Sequence, residues 1–427
     1  MKRPWAGRVK VALLLLTWGI GTSLDAEEST WPDASDPVAG LGVNIHFTDP
    51  KPGELEMLSR AGFHWVRTDF SWESTEKKAR VYDFAAYDRL LASLDKSNLH
   101  ALFILDYKNL LYDQGLPSHT DQGRQAFARW AAAAVIHFKG KGVLWEIWNE
   151  PNGDSFWKPS PNADDYAKLA LTVSQAIKKV APDERVVGPA LSGGDIDFIE
   201  PTAKAGVLND WLGITIHPYY SSCPESYGGA YDRTRELIEK YTSPAQNLSV
   251  MCGESGYSTA WSGIDEQTQG KYIARLCLFD VMSGVTLTIW YDWHNDGVNP
   301  KEPEHNFGIV RHDYHAGRED VYDRKPAYDA VRTYSSQLAG LKLKERLWTE
   351  SKKDFVLSFS NRDEECLVAW TADHSPHEVT LLVPNGTYRV TSYDGKKPSS
   401  LQVTRGTLHL LLDDAPQYLA RRDLPQP

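Results

Sequence analysis

From residue 42 onward, short apolar runs alternate with longer amphipathic stretches. Apolar, β-rich segments fall at residues 42–47, 64–70, 101–107, 143–149, 185–191, 212–219, 248–254 and 286–292. Between them, stretches such as 82–98, 121–139, 163–180, 231–241 and 267–282 carry apolar residues at three- and four-residue spacing, the period of a helix with one buried face. Strands that alternate with helices pair in parallel, because the helix carries the chain back to start the next strand in the same direction. Eight is the number that closes such a sheet into a barrel. An open doubly wound sheet alternates in the same way, but no glycine-rich phosphate turn follows the first strand here. The predicted fold is therefore α/β, a (β/α)8 TIM barrel over residues 38–340.

Past residue 340 the period changes. Runs of alternating character at 345–348, 354–360, 366–371, 378–383, 387–393 and 401–412 are separated by turn pairs, Asn385-Gly386 and Asp394-Gly395 among them. Residues 341–427 read as a small antiparallel β-sandwich. It holds only Trp348 and Trp370, both assigned to packing, so a structural role is expected above sugar binding. The stretch 292–324 is polar with little periodicity; placed after the eighth strand, it should wall one side of a cleft.

The chain opens with basic MKRPWAGRVK and then apolar VALLLLTWGIGTSL, the pattern of a secretory signal peptide too short to span a bilayer. Cleavage is expected near Ala26, giving a secreted or periplasmic protein without stable membrane insertion, expected to be a monomer. The formal charge of the whole chain is −11, and loss of residues 1–26 would make it about −14. An acidic protein without a basic stripe does not suit nucleic acid or an anionic membrane. Cys223, Cys252, Cys277 and Cys366 allow several pairings; Cys223–Cys252 is the candidate bridge, with free buried thiols the equal alternative. No His/Cys cluster has zinc spacing, and His305, His312 and His315 fit no metal motif, so neither metal nor cofactor is expected.

A barrel collects its functional groups at the C-terminal ends of its strands. In this chain those ends carry Asn44 and His46, Arg67 and Asp69, Asp106 and Tyr107, Asn149 and Glu150, then His217 and Tyr219, Glu254, and Trp290. Glu150 and Glu254 each stand where an apolar strand gives way to a loop, in VLWEIWNEPN and MCGESG. A carboxyl at the rim of a core is partly desolvated, which raises its pKa toward the range of a general acid. Fifteen tryptophans exceed what a core needs. Trp72, Trp157, Trp261, Trp290 and Trp293 fall in or beside loops and are expected to line a cleft suited to the C–H faces of sugars, whereas Trp65, Trp130, Trp145 and Trp211 are expected in the core.

WNEP at Trp148 to Pro151, followed by GES at Gly253 to Ser255, resembles the acid/base and nucleophile strands of the retaining glycoside hydrolases of clan A, most closely families 39 and 5. NFGIV leading to KPAY, at Asn306 to Tyr328, is similar to the segment joining last strand and last helix in that clan. The resemblance implies Glu150 as acid/base, Glu254 as nucleophile, Asn149 on the sugar's 2-hydroxyl, and Arg67 bonded to the nucleophile. It places Tyr219 and His217 against the two carboxyls and Trp290 under the sugar, with His46, Asp106 and Tyr107 nearby. Asp106, Trp157 and Trp261 complete the expected binding set. Arg67 is alternatively an ion-pair partner of Asp69 or Asp106, and His217 a core histidine.

Two carboxyls about 5–5.5 Å apart permit double displacement with retention, and about 6.5–9.5 Å admits a water and inverts. The expected activity is hydrolysis of β-glycosidic bonds in a polysaccharide or oligosaccharide. A silent carbohydrate-binding barrel and a transglycosylase are the alternatives; an esterase would need a G-x-S-x-G elbow, which is missing.

Overall fold

The structure, a computed structural model, describes residues 32–219, 222–396 and 398–421. The expected signal segment lies outside them. Eight parallel strands close into a barrel: β1 (Leu41–Asn44), β2 (Trp65–Ser71), β3 (His100–Asp106), β4 (Leu144–Ile147), β5 (Arg185–Ser192), β6 (Gly213–His217), β7 (Ser249–Ser255) and β8 (Thr288–Trp290). Closure is direct, since Leu41 to Val43 pair with Thr288 to Trp290. Most strand residues are buried, as barrel strands covered by helices must be.

The helices are α1 (Glu54–Ala61), α2 (Trp72–Thr75), α3 (Ala85–Lys96), α4 (Asp121–His137), α5 (Ala163–Val180), α6 (Ile196–Lys204), α7 (Gly228–Tyr241), α8 (Glu266–Met282) and α9 (Pro326–Leu338). Three of the long ones start where a side chain caps the first free N–H groups: Thr120 on Gly123, Asn162 on Asp165, and Asp265 on Thr268. The pattern of apolar positions missed α1, α2 and α6, of eight, four and nine residues, which are too short to show a period; α6 also contains Pro201. Strand β4 stops two residues short of its predicted end because Trp148 and Glu150 turn into the left-handed region, at φ 72° and 45°. That conformation is strained for a non-glycine residue.

Tryptophans behave differently from expectation. Trp72, Trp157, Trp290 and Trp293 are each no more than 2% exposed. Trp72 stacks on Tyr112 and Trp130 and donates its indole N–H to Glu76; Trp293 donates to Glu54. Loop position alone did not reveal that these loops fold back over the core. Of the two cysteine alternatives, the Cys223–Cys252 bridge is excluded: all four cysteines are free. Cys252 is buried in contact with the side chains of Tyr231 and Asp280, on the helical side of β7, while Cys223 neighbours Glu225 and Arg275.

The polar segment after β8 holds a hairpin, β9 (Val310–Tyr314) with β10 (Tyr322–Arg324). Buried Lys325 fastens its base by donating to the carbonyls of Asn306 and Gly308 and to Asn295 Oδ1. Burial holds that amine down to about 7.

The C-terminal domain is antiparallel. Strands β11 (Lys342–Arg346), β12 (Asp354–Ser360), β13 (Glu365–Thr371), β18 (Gln417–Arg421), β15 (Gly386–Ser392) and β16 (Ser399–Val403) form one sheet in that spatial order. Strands β14 (His377–Leu382) and β17 (Thr407–Leu412) form the second. The run predicted as one strand at 401–412 is two, broken at Arg405 and Gly406, both at positive φ. The sandwich packs on the barrel as one compact unit. Trp370 donates to Glu225, which also pairs with Arg275 of α8, and Tyr393 donates to Gln267. Trp370 is fully buried, whereas Trp348 is 83% exposed instead of packed.

Gly256, just past β7, runs so close to the β8 connection that a Cβ there would lie 1.9 Å from the Tyr291 carbonyl oxygen. Backbone overlap cannot be relieved by a rotamer change, so Gly256→Ala should lower stability by about 2 kcal/mol. Urea unfolding checks this, and a native midpoint would show that the two segments separate easily.

Candidate active site

A cavity of about 440 Å³ opens at the C-terminal mouth of the barrel. Glu150 and Glu254 both line it, each with 14% of its side chain exposed. They arrive from β4 and β7, which lie across the barrel with β5 and β6 between them on one side.

Arg67, on β2, is 1% exposed and organises one half of the site. Its Nη1 donates to Glu254 Oε2 at 2.7 Å and to Asn44 Oδ1 at 3.3 Å. Nη2 donates to Asn149 Oδ1 at 2.8 Å, and Nε to Glu146 Oε2 at 2.8 Å. The guanidinium fork thus fixes the carboxyl of one strand relative to the amide of another. Because Asn149 offers its oxygen to Arg67, its NH2 end is turned away from the guanidinium. The alternative that Arg67 pairs with Asp69 or Asp106 is replaced by the Glu146 and Glu254 contacts. Glu146 was missed: a lone acid inside an apolar strand, it lies in phase with Leu144 and faces the barrel interior.

The carboxyls differ in their surroundings. Glu254 accepts the Tyr219 hydroxyl at 2.6 Å on Oε1 while Oε2 meets Arg67. Glu150 has a hydrogen bond with His217 Nδ1 at 2.9 Å. Burial pushes Glu150 up to about 6, against the opposing charge of Arg67 and a bond from Ser192. Burial likewise pushes fully enclosed His217 down to about 4, so at neutral pH the contact is a hydrogen bond with a neutral imidazole rather than an ion pair. Glu254 is therefore in direct ion pair with Arg67, whereas Glu150 feels that charge only from a distance and hydrogen-bonds an uncharged imidazole.

Of the expected binding residues, Arg67, Asn149, Tyr219 and Trp261 line the cavity, as do His46 and Tyr107. His217 reaches it only through Glu150. Asp106 is fully buried, not part of the lining. Trp157 and Trp290 are also removed from it: Trp157 packs against Trp148, and Trp290 donates to the Phe307 carbonyl. In their places stand sequence neighbours, Phe156 and Tyr291, joined by Phe307 and Glu304 from the long loop. A shift of one residue exchanges which side chain faces the cavity, and periodicity cannot set that register where strands end.

His46, Asp292 and Asp296 bring ligand-type atoms within 4.8 Å of one another. His46 Nε2 is 3.2 Å from Asp292 Oδ2. Despite burial, which lowers it, bonding to Asp292 and nearby acids raises His46 to about 9. His46 and Asp292 form an ion pair here, with Asp296 beside them.

The family model described as Cellulase (glycosyl hydrolase family 5) matches residues 35–297. The chain belongs to this family of glycoside hydrolases. Within clan A it is related to family 39 as well. A family 39 glycoside hydrolase from the gut symbiont Bacteroides cellulosilyticus WH2 has a TM-score of 0.77 and 26% identity, covering 91% of this chain and 82% of that one. A GH39 β-xylosidase from Caulobacter crescentus, at 20% identity and TM-score 0.67, shares the fold over 92% of this chain and 97% of its own. A β-xylosidase of Geobacillus stearothermophilus is 31% identical over 156 residues, 31% of this chain and 30% of that protein. Endo-1,4-β-xylanase A of Phanerodontia chrysosporium is 22% identical over 61% of this chain and 64% of its own length. The chain thus spans less than two thirds of either curated relative. Among the described residues, no helix is long and apolar enough to cross a membrane.

Proposed function

We propose that this glycoside hydrolase family member is a secreted enzyme that cleaves β-glycosidic bonds of a xylan-like polysaccharide or oligosaccharide by double displacement with retention. The observation that carries the reading is the unequal pairing of two carboxyls in one cavity. Glu254, against Arg67, attacks the anomeric carbon as a carboxylate; Glu150 protonates the leaving oxygen. Once Glu254 is esterified its charge is gone, and Glu150, now deprotonated, takes the proton of an incoming water. Xylosidase and xylanase relatives suggest the sugar.

Product analysis on xylan and other β-linked glycans tests the proposal, with the anomer first released followed by NMR. Retained β-product supports double displacement; an α-product would exclude it. Longer oligosaccharides than those supplied would identify a transglycosylase, and binding without cleavage a silent barrel.

The acid sets a pH limit. Glu150 must carry its proton to release a poor leaving group, and its pKa lies near 6. Activity on natural glycans should therefore fall about tenfold per pH unit well above that value. A rate flat from pH 5 to 8 would remove Glu150 from the acid role.

A further inference from the structure

Asp69 follows Arg67 by two residues on β2, so both side chains face the barrel interior, and Asp69 reaches the cavity wall. On the adjacent strand, Asp106 ends β3 two residues after Ile104, which also lines the cavity. Asp106 is fully buried, and neither of its carboxyl oxygens meets an N–H or hydroxyl donor. The acid that acts on it from the paired strand is Asp69.

Two carboxyls can share a hydrogen bond only if one of them is protonated. Burial first, and then the charge of Asp69, push the Asp106 acid well above the usual range, which favours Asp106 as the partner that carries the proton. A neutral Asp106 would donate to Asp69 and leave the other lone pairs of Asp69, which lines the cavity, to a ligand. The cations of the lining are otherwise engaged. Arg67 meets Glu146 and Glu254, and His46 meets Asp292. Exposed Glu304 adds a further negative charge and accepts the Tyr291 hydroxyl.

We propose, building on the glycosidase reading, that the Asp69–Asp106 pair anchors adjacent hydrogen-bond donors of the bound sugar, and that this cleft takes neutral or amine-bearing glycans and rejects uronic acids. Two hydroxyls, or a hydroxyl and an ammonium, satisfy the free lone pairs of Asp69. A uronate would instead bring another carboxylate beside a fixed one, with both lining cations already paired, and like charges at that range repel.

The test compares native protein with Asp69→Asn, Asp106→Asn and Asp106→Leu on neutral β-1,4-xylan and β-1,4-glucan, cationic chitosan and anionic polymannuronate. Native protein should cleave a neutral or amine-bearing polymer and leave polymannuronate intact; xylan or glucan against chitosan shows which donors are taken. On the cleaved polymer, Asp69→Asn should raise KM about tenfold with kcat changed far less, because uniform binding is what is lost. Asp106→Asn still offers Asp69 an N–H donor and should stay near native KM, whereas Asp106→Leu should match Asp69→Asn. A merely structural carboxyl would not separate Asn from Leu in KM while both variants keep kcat. Native KM in Asp69→Asn, equal damage from the two Asp106 variants, or preferred cleavage of polymannuronate would overturn the inference while leaving the glycosidase reading intact. No cleavage of any polymer by native protein would overturn that reading, and this inference with it.

Discussion

Glu254→Ala should lower kcat on the native substrate by about 10⁴-fold or more, the scale on which loss of a covalent nucleophile is felt. That is about 5.4 kcal/mol of transition-state stabilisation. The fold should survive the change. Glu254 is partly open to the cavity, and Arg67 keeps its bond to Glu146 when Glu254 is gone. Melting within a few degrees of native, together with lost turnover, separates a chemical role from a structural one. Glu150→Ala supplies the contrast, because its effect should depend on the leaving group. A natural glycan leaves as an alkoxide and needs the proton, whereas an activated aryl glycoside does not, so glycosylation of Glu254 by the aryl substrate should persist. Equal losses on both substrates would argue that Glu150 is not the acid. Substantial turnover in Glu254→Ala would sink the double-displacement mechanism.

Arg67→Met should damage stability as well as activity. The guanidinium is enclosed with Glu146, which is itself fully buried and has Oε1 without a hydrogen-bond donor. Removing one member of such a pair leaves an uncompensated charge, at a cost of about 3–5 kcal/mol. For a cooperative unit of this size that corresponds to roughly 4–6 °C in melting temperature, from the usual unfolding entropy per residue. Activity should fall too, because Glu254 and Asn149 lose the fork that aligns them. Lysine should not rescue, since one ammonium cannot reproduce four directed contacts. Adding Glu146→Gln to Arg67→Met should recover part of the stability, but not the activity, because the amide carries no charge to compensate. A native melting temperature in Arg67→Met would mean that the pair is solvated rather than enclosed.

Much of this site is visible in the order of residues. Alternating apolar runs and helical periods give eight strands and their sequence, and in a parallel barrel strand order alone places the C-terminal ends together. Arg67, Asn149, Glu150, Tyr219 and Glu254 follow from that rule together with the motifs WNEP and GES. Glu146 carried a signal as well, an acid in the interior phase of an apolar strand, but its meaning depended on knowing that Arg67 lies opposite.

The sequence by itself determined the barrel, the appended sandwich and which strands carry the two carboxyls, because these depend on local periodicity and chain order. Tertiary structure alone decided which side chains at the strand ends face the cavity: Phe156 and Tyr291 rather than Trp157 and Trp290, and Asp69 in front of Asp106. At those ends the backbone leaves strand geometry, with Trp148 and Glu150 in left-handed conformations, so the alternation that predicts orientation no longer applies. The charge states were also decided there. A carboxyl titrates according to how much water and which partners surround it, and burial and the long-range neighbours Arg67, His217 and Asp69 exist only after the chain has closed.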